Sequence, residues 1–285
     1  MKLLLAGYYG CGNLGDEAIL EALISGIRSI QPQAEITVLS SDPLATSDCY
    51  NVTSINRFRL FQVIRAIRGC DALIFGGGGV LQDMTSKRSL VYYLTLIKIA
   101  KFFKKKIILL GQGIGPVKSR LPLRCALRNV DLITVREEES LKLLTDIGVR
   151  ARKVALTADL SFLLGGPDKE RAKKLLELEG IKRCKSKLIG ISLRSPLNRI
   201  NLNEKHKAIA SVCDWLIKEK DSQLVFLIFR YPEDIEFANK VMNHMKYPAY
   251  MVLRQCRPSD MLSIISEFDA VVGMRLHSLI FSAIA

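Results

Sequence analysis

The residues best suited to chemistry in this sequence are a histidine and an arginine in the stretch Gly273-Met-Arg-Leu-His-Ser278. His277 follows an apolar run typical of a buried strand and begins an apolar run typical of a helix. An imidazole titrates near neutral pH, so a histidine at a strand end suits a general acid or base. The alternative is a histidine that only caps the helix. The remaining histidines, His206 and His244, lie in polar parts of predicted surface helices, and we expect both to be exposed.

Four arginines, one of them beside His277, follow predicted strands directly: Arg136, Arg194, Arg230 and Arg275. A guanidinium group donates two parallel hydrogen bonds and so matches a phosphate or a carboxylate. Any one of them could be an ordinary surface residue, but their common position at strand ends indicates an anionic ligand.

Four consecutive glycines, Gly76 to Gly79, follow the apolar run Ala72 to Phe75. We predict a buried strand that ends in a glycine turn, whose backbone N–H groups would suit an anion. A flexible turn without a ligand is the alternative. The spacing matches neither the dinucleotide fingerprint nor a Walker A loop. A second glycine turn is predicted at Gly111-Gln-Gly-Ile-Gly-Pro116.

A further glycine-rich stretch, Gly7 to Glu17, separates the first predicted strand from the first predicted helix. Asp16 stands where a helix N-cap belongs. A tight turn explains Asp16 and one glycine, but not Gly10 and Asn13 together with the other glycines. We therefore predict a loop that faces a ligand.

Strands alternate with helical patterns along the whole chain, which predicts an α/β fold with parallel sheets. Ligands of such sheets bind beyond the carboxyl ends of the strands, where the residues above fall. Gly165-Gly-Pro-Asp168 is typical of a linker, after which the pattern restarts. We predict two Rossmann-like domains, 1–165 and 166–285, with a cleft between them. Because the sequence stops at Ala285 within a helical run, we expect the second domain to be incomplete.

The composition favours anionic partners, because lysine and arginine number 42 against 28 acidic residues, a formal net charge of +14. The excess is spread over both halves of the chain, so we expect no nucleic-acid partner. The seven cysteines are scattered and include no C-x-x-C, which predicts a reduced, cytoplasmic protein without a metal site.

One predicted helix, over residues 89–103, ends in a basic run from Lys98 to Lys106 and carries apolar residues such as Leu94 and Phe102. Apolar residues with a basic rim are typical of a helix on an anionic membrane surface. The favoured interpretation is a helix packed on its sheet, with a cationic last turn that suits the helix dipole.

Several motifs together resemble those of the polysaccharide pyruvyl transferase family, and in particular its bacterial cell-surface anchoring branch. They occur in the family's order from the first strand to the last residue: Gly7-Tyr-Tyr-Gly-Cys-Gly-Asn-Leu-Gly-Asp-Glu-Ala18, Phe75-Gly-Gly-Gly-Gly-Val-Leu-Gln-Asp83, Gly111-Gln-Gly-Ile-Gly-Pro116, Thr134-Val-Arg-Glu137, Ala158-Asp-Leu-Ser-Phe162 and Gly273-Met-Arg-Leu-His-Ser278.

The resemblance implies a GT-B-like fold and transfer of a pyruvyl group from phosphoenolpyruvate to a sugar as a ketal, with no cofactor and no metal. The implied acceptor is an N-acetylmannosamine residue on a lipid-linked cell-wall precursor, reached by a protein at the inner face of the membrane. His277 would be the general acid or base, and Arg275 and Arg136 would hold the donor. The remaining implied substrate-binding residues are Gly10, Asn13, Asp16, Gly76, Gly77, Gly78, Gly79, Gln82, Asp83, Arg194 and Ser278.

Two alternatives stay open at this point. One is a GT-B glycosyltransferase that uses a nucleotide sugar, and the other is a basic module that binds an anion without catalysis. Family members also continue beyond the histidine helix with a further strand and basic residues, which leaves the completeness of the donor site open.

Overall fold

The computed structural model describes residues 1–84, 86–149, 154–185, 187–196 and 200–285. The chain forms two compact units. Unit 1 comprises Met1–Cys11 and Asp16–Leu164, and unit 2 comprises Gly12–Gly15 and Gly165–Ala285. The short segment Gly12–Gly15 therefore belongs to unit 2 although it precedes most of unit 1 in sequence.

Unit 1 is built on a seven-stranded parallel sheet with the strand order β3-β2-β1-β4-β5-β6-β7. Its strands are β1 (Lys2–Tyr9), β2 (Glu35–Ser40), β3 (Thr53–Asn56), β4 (Ala72–Leu81), β5 (Lys106–Ile114), β6 (Leu132–Val135) and β7 (Val154–Leu156). The helices between them are α1 (Leu14–Ile30), α2 (Pro43–Tyr50), α3 (Leu60–Gly69), α4 (Lys87–Phe102), α5 (Arg120–Leu127) and α6 (Glu138–Asp146).

Helices cover both faces of this sheet, as the connections require. The chain runs from β1 outwards to β3 and then crosses to β4 on the other side of β1. Right-handed crossovers therefore place α1 and α2 on one face and α3 to α6 on the other. The buried cores agree: one contains Leu20 of α1 and Tyr50 of α2, and the other contains Ile67 of α3 and Leu127 of α5.

The predicted glycine turns are strands. Gly76 to Gly79 lie within β4 and Gly111 to Ile114 lie within β5, and the two segments pair, with Gly76 opposite Leu110 and Gly78 opposite Gln112. The prediction of a turn after Phe75 was therefore wrong. Glycine weakens a strand but does not forbid it, and pairing with β5 holds the glycine part of β4 in place, whereas β1 pairs with β4 only as far as Phe75.

Unit 2 has a four-stranded parallel sheet with the order β10-β9-β8-β11. Its strands are β8 (Lys187–Ser192), β9 (Ser222–Leu227), β10 (Tyr250–Val252) and β11 (Ala270–Gly273). Its helices are α7 (Lys169–Leu178), α8 (Leu202–Glu219), α9 (Glu233–Met242), α10 (Pro258–Ile265) and α11 (Leu276–Ile284). One core joins β8 and β9 to α8 and α9 through residues such as Phe226 and Val241.

The helix with the basic C-terminal run is packed on its sheet. Leu90, Leu94 and Ile97 of α4 are buried in the core of unit 1. This confirms the interpretation of α4 as a sheet-covering helix, and the face that carries Leu90, Leu94 and Ile97 is not available to a membrane. Within the described residues, no helix combines the length and apolar character that a bilayer span requires.

His206 is buried, contrary to the prediction of a solvated side chain. It lies between α8 and α9, with its ring centroid 4.8 Å from that of Phe237 in an edge-to-face arrangement. Burial lowers the pKa of this imidazole, and the nearby Lys240 lowers it further. His244 is exposed as predicted, with Nε2 2.9 Å from Asn203 Oδ1.

Candidate functional site

In each unit the predicted residues gather where the strand order reverses. The chain leaves β1 towards one edge of the unit 1 sheet and returns at β4, and it leaves β8 in the same way and returns at β11 in unit 2. Loops at such a reversal diverge and leave a crevice at the carboxyl ends of the strands. Gly10 and Asp16 follow β1, whereas Arg275 and His277 follow β11.

Three of the four glycines in β4 allow α1 and the Tyr9 side chain to pack closely on that strand. A Cβ atom at Gly76 would stand 2.5 Å from Tyr9 Oη, one at Gly77 would stand 2.8 Å from Ile19, and one at Gly78 would stand 2.8 Å from Asp16 Oδ1. Only Gly79 is exposed and faces open space. The packing of α1 thus explains Gly76 to Gly78, and Gly79 is the member of the group that a ligand can approach.

Two predicted binding residues at the end of β4 hold the local backbone. The buried Asp83 carboxylate accepts hydrogen bonds from the backbone N–H groups of Lys118 (2.9 Å) and Ser119 (3.4 Å). Gln82 accepts a bond from the backbone N–H of Met84 at 2.8 Å. Asp83 therefore ties the end of β4 to the loop after β5.

Arg136, which follows β6, is anchored by a buried aspartate. Its Nη1 donates to Asp159 Oδ2 at 2.6 Å, and the side chains of Arg136 and Asp159 are 14% and 4% exposed. Asp159 also accepts from the backbone N–H and the hydroxyl of Ser161. The guanidinium group is therefore fixed in position at the carboxyl edge of the unit 1 sheet.

Gly10 is positioned by the carboxylate of Glu17 in the first turn of α1. The backbone N–H of Gly10 donates to Glu17 Oε1 at 2.7 Å, and Tyr50 Oη donates to Oε2 at 3.1 Å. Burial is the largest reason why the pKa of Glu17 is raised from 4.5 to about 7; the hydrogen bonds from Gly10 and Tyr50 lower it, and the nearby Asp16 and Glu21 contribute to raising it. The turn after β1 thus rests on a carboxyl group that titrates near neutral pH.

Arg275 in unit 2 is anchored in the same way as Arg136 in unit 1. Its Nε donates to Asp234 Oδ2 at 3.1 Å and its Nη2 donates to Oδ1, and Asp234 is 1% exposed. Asp234 Oδ2 also accepts from the backbone N–H of Arg230 at 2.9 Å. Because two nitrogens of Arg275 are engaged, Nη1 is the nitrogen left for a ligand among the described contacts.

His277 lies against the segment Gly12–Gly15, which also belongs to unit 2. A Cβ atom at Gly15 would overlap the imidazole ring. The segment is held by backbone hydrogen bonds, from Leu14 N–H to Phe229 C=O (2.8 Å) and from Tyr231 N–H to Gly12 C=O (3.0 Å). Asn13 forms an isolated antiparallel bridge with Arg230 between them. The glycine-rich motif near the start of the chain therefore contacts the histidine motif near its end.

The other two predicted site residues of unit 2, Arg194 and Ser278, differ in exposure to solvent. Arg194 is exposed and follows β8, the strand between β9 and β11. Ser278 is buried, and its hydroxyl donates to the Arg275 C=O at 2.7 Å in the first turn of α11. Ser278 thus stabilises the start of the helix that carries His277.

Sequence reasoning did not single out two residues that shape these positions. Asp234 carries no local signal, because an acid in the first turn of a helix is ordinary. Arg57 is buried, and it donates to the C=O of Gly7 in β1 at 3.1 Å and to Tyr93 Oη at 3.0 Å. An arginine in a polar stretch between two predicted elements gives no sign of burial.

Within the described residues, no histidine, cysteine and carboxylate side chains cluster in a way that could hold a metal ion.

Known proteins are similar to this chain in sequence or in fold. The family described as polysaccharide pyruvyl transferase matches residues 13–285. The amylovoran biosynthesis protein AmsJ of Erwinia amylovora is 24% identical over an alignment that covers 99% of this chain and 80% of that protein.

Two solved structures show the same fold class. The UDP-GlcNAc 2-epimerase of Methanocaldococcus jannaschii gives a TM-score of 0.67 at 11% identity, covering 100% of this chain and 81% of that one. The E. coli ADP-heptose lipopolysaccharide heptosyltransferase II gives 0.50 at 14% identity, covering 96% and 78%. These confirm the predicted GT-B-like class of α/β fold. The family match begins within the glycine-rich segment that contacts His277 and extends to the last residue, and on that evidence the chain belongs to the polysaccharide pyruvyl transferase family.

Proposed function

We propose that this protein transfers the pyruvyl group of phosphoenolpyruvate to a sugar as a cyclic ketal and releases phosphate. Its family supports a transferase that modifies polysaccharides, and its relative AmsJ is described as an amylovoran biosynthesis protein. The observation that carries the proposal is the contact of His277 with Gly15, beside an arginine anchored by a buried aspartate. An acid or base and an anion-binding group are what this donor requires.

The proposed reaction begins with transfer of a proton to phosphoenolpyruvate and ends with loss of its phosphate. Protonated His277 gives its proton to the methylene carbon, which becomes a methyl group, and the neighbouring carbon gains oxocarbenium character. A sugar hydroxyl attacks that carbon and loses its proton to the neutral imidazole. The carbon–oxygen bond to phosphate then breaks, a second hydroxyl of the sugar closes the ring, and the proton of that hydroxyl passes to the departing phosphate. The net products are the ketal and inorganic phosphate.

The two anchored arginines suit the donor's anionic groups. Arg275 offers Nη1 to a carboxylate or phosphate while Asp234 fixes its orientation, and Asp159 fixes Arg136 in unit 1. A guanidinium group that is already oriented loses little freedom on binding, so more of the interaction energy stabilises the transition state. Arg194, which is exposed and follows β8, the strand next to β11, is the further cation of unit 2 proposed to meet the donor.

For the acceptor we propose N-acetylmannosamine in a lipid-linked cell-wall precursor, whose modified polymer anchors proteins of the bacterial surface layer. The exposed Gly79 and the residues Gly10, Asn13 and Asp16 are proposed to face this sugar. The protein would then act on the cytoplasmic side of the membrane, where such precursors are assembled.

The test is phosphate release from phosphoenolpyruvate in the presence of defined lipid-linked disaccharides. We expect release that depends on the acceptor and is abolished in His277→Ala and His277→Gln, while donor affinity changes by less than about tenfold. Near-normal turnover in both variants would remove His277 from the mechanism.

A parallel binding measurement separates the proposal from a nucleotide-sugar glycosyltransferase. Thermal protection by phosphoenolpyruvate without protection by UDP or ADP supports the proposal. Protection by a nucleotide and none by phosphoenolpyruvate would overturn it.

A further inference from the structure

One face of unit 1 is basic and carries no acidic residue over three adjacent helices. The segments 57–70, 84–106 and 117–130 contain α3, α4 and α5. They hold fifteen lysines and arginines and no aspartate or glutamate, although residues 1–165 contain fourteen acids elsewhere. The three helices share one buried core on the same face of the sheet, so their charges add on one surface, which we call the basic face.

Most of these cations are exposed and are not used for folding. Arg57 is buried, and Lys106 lies 3.4 Å from Asp131, the one ion pair that the described part of the chain shows for the set. Arg59, Lys87 and Arg120 stand at the beginnings of α3, α4 and α5 and are exposed. A cation at a helix N-terminus is unfavourable to the helix dipole, so these positions do not serve helix stability.

Large apolar side chains project from the same segments. Phe61 and Phe58 are 89% and 73% exposed, and Leu60 between them is also exposed. Other exposed apolar residues of the basic face are Met84, Val91, Phe102 and Leu121. Aromatic and aliphatic side chains set among lysines and arginines match the boundary between lipid headgroups and acyl chains. A nucleic acid would use the cations but would leave most of these aliphatic side chains exposed to water.

The basic face has a clear edge. On the same side of the sheet, α6 carries Glu138, Glu139 and Asp146, so the region without acids ends after α5. On the opposite side, α1 begins with Asp16 and Glu17. The net charge of the whole chain therefore does not explain the pattern, because acidic residues accompany the basic ones outside the basic face.

We infer that the basic face, with Phe58, Leu60 and Phe61 at the beginning of α3, docks unit 1 on an anionic lipid membrane. The cations meet the lipid phosphates, and the three apolar side chains enter the headgroup layer. This inference is independent of the proposed donor and acceptor, since it needs no catalysis. It differs from the earlier idea of α4 as an amphipathic membrane helix, whose apolar face is buried.

The test measures cosedimentation of the full chain with vesicles of phosphatidylcholine, with and without phosphatidylglycerol, at about 0.15 M salt. We expect binding only to the phosphatidylglycerol vesicles. The triple variant Arg59→Glu, Lys87→Glu, Arg120→Glu should lower the partition coefficient by at least about 100-fold, since each cation lost near an anionic surface costs about 1 kcal/mol and each new glutamate adds repulsion. Phe58→Ser with Phe61→Ser should lower it by about tenfold while the charge stays the same.

A matched control changes the net charge equally at another place. Lys169→Glu, Lys174→Glu, Lys207→Glu alters three exposed lysines of unit 2, and it should leave vesicle binding within about threefold of wild type, as separate surface charges are screened over about 8 Å. Equal loss in both triple variants would overturn the inference, because total charge would then explain binding. Equal binding to both kinds of vesicle would also overturn the inference. So would a short DNA duplex that binds through Arg59 and Lys87 and displaces the protein from the vesicles.

Discussion

The close contact between Gly15 and His277 makes a glycine necessary at position 15. The ring of His277 occupies the volume that a Cβ atom would need. The glycine therefore fixes where the imidazole stands, and a residue outside the histidine motif decides the geometry of the proposed acid or base.

Gly15→Ala is expected to lower turnover by about 100-fold, because a displacement of the acid by about 1 Å has an effect of that size. The measurement is acceptor-dependent phosphate release. Gly26→Ala in the same helix is the matched control, since nothing lies within 4 Å of a Cβ there. It should retain turnover and gain up to about 1 kcal/mol of helix stability. Wild-type turnover in Gly15→Ala would contradict the placement of His277.

Asp234 should matter more for stability than any other acid of α9. Replacing it with alanine leaves the largely buried Arg275 charge without its partner and removes the acceptor of the Arg230 N–H. The expected loss is about 3–5 kcal/mol in the unfolding free energy of unit 2.

Glu236→Ala, an exposed change in the first turn of the same helix, should stay within about 0.5 kcal/mol. Urea denaturation, followed through the accessibility of the buried Cys213 thiol, measures both variants. Breaking a buried ion pair usually costs about 3 kcal/mol or more. A loss of unfolding free energy below about 1 kcal/mol in Asp234→Ala would therefore contradict the prediction, because it would mean that Arg275 finds another partner or water.

At the scale of the element, the first turn of α1 links the folding of unit 1 to pH. Glu17 has a pKa raised from 4.5 to about 7, chiefly by burial. The folded state therefore keeps a proton that the unfolded state releases. The stability that this carboxyl group contributes is complete below about pH 4.5 and is lost as the pH rises towards 7.

Glu17→Gln should accordingly be more stable than wild type at pH 8, by up to roughly 3 kcal/mol, and similar to it near pH 4.5. Glutamine keeps an acceptor for the Gly10 N–H. Melting temperatures of both proteins at the two pH values test this, with the exposed Glu139→Gln as the control. A difference that is independent of pH would show that Glu17 does not titrate in this range.

Local patterns in the sequence predict elements with strong periodicity and fail for the others. The apolar spacing after Asp16 predicts α1, and the apolar residues Ile36, Val38 and Leu39 predict β2. Strand β3 was not predicted, because Thr53-Ser-Ile-Asn56 contains one apolar residue and forms an edge strand that is only partly buried. Helices α2 and α5 were also not predicted. The helix α5 contains Pro122 and a high share of basic residues, which weaken its helical signal.

The candidate site also has a part that the sequence predicts and a part that it does not. Residue type and position at strand ends were enough to select His277, Arg275 and Arg136. The segment Gly12–Gly15 contacts Phe229 and Tyr231, which lie more than two hundred residues later in the chain. No local sequence pattern predicts a contact over that distance. The predicted glycine turns were wrong because neighbouring strands, which are not visible locally, extend the pairing through the glycines.

At the scale of the whole molecule, five free cysteines provide one exposed probe in each unit, one buried probe in unit 1 and two buried probes in unit 2. Cys125 of unit 1 and Cys184 of unit 2 are exposed, whereas Cys70 of unit 1 and Cys213 and Cys256 of unit 2 are buried. Burial raises the pKa of all three buried thiols. The pKa of Cys213 is raised to about 11 and the pKa of Cys256 to about 12. Because the thiolate is the reactive form, burial protects these thiols twice, by blocking access and by keeping them protonated.

Alkylation of the native protein at pH 8 should therefore modify Cys125 and Cys184 within minutes and leave Cys70, Cys213 and Cys256 intact, with peptide mass spectrometry as the measurement. On a urea gradient, Cys70 should report the unfolding of unit 1, and Cys213 and Cys256 should report that of unit 2. Cys213 and Cys256 lie in different helical layers of unit 2, so they should become reactive at the same urea concentration if unit 2 unfolds as one body. Reaction of Cys256 in the native state, at a rate similar to that of Cys184, would contradict the packing around α10, since Cys256 directly precedes that helix.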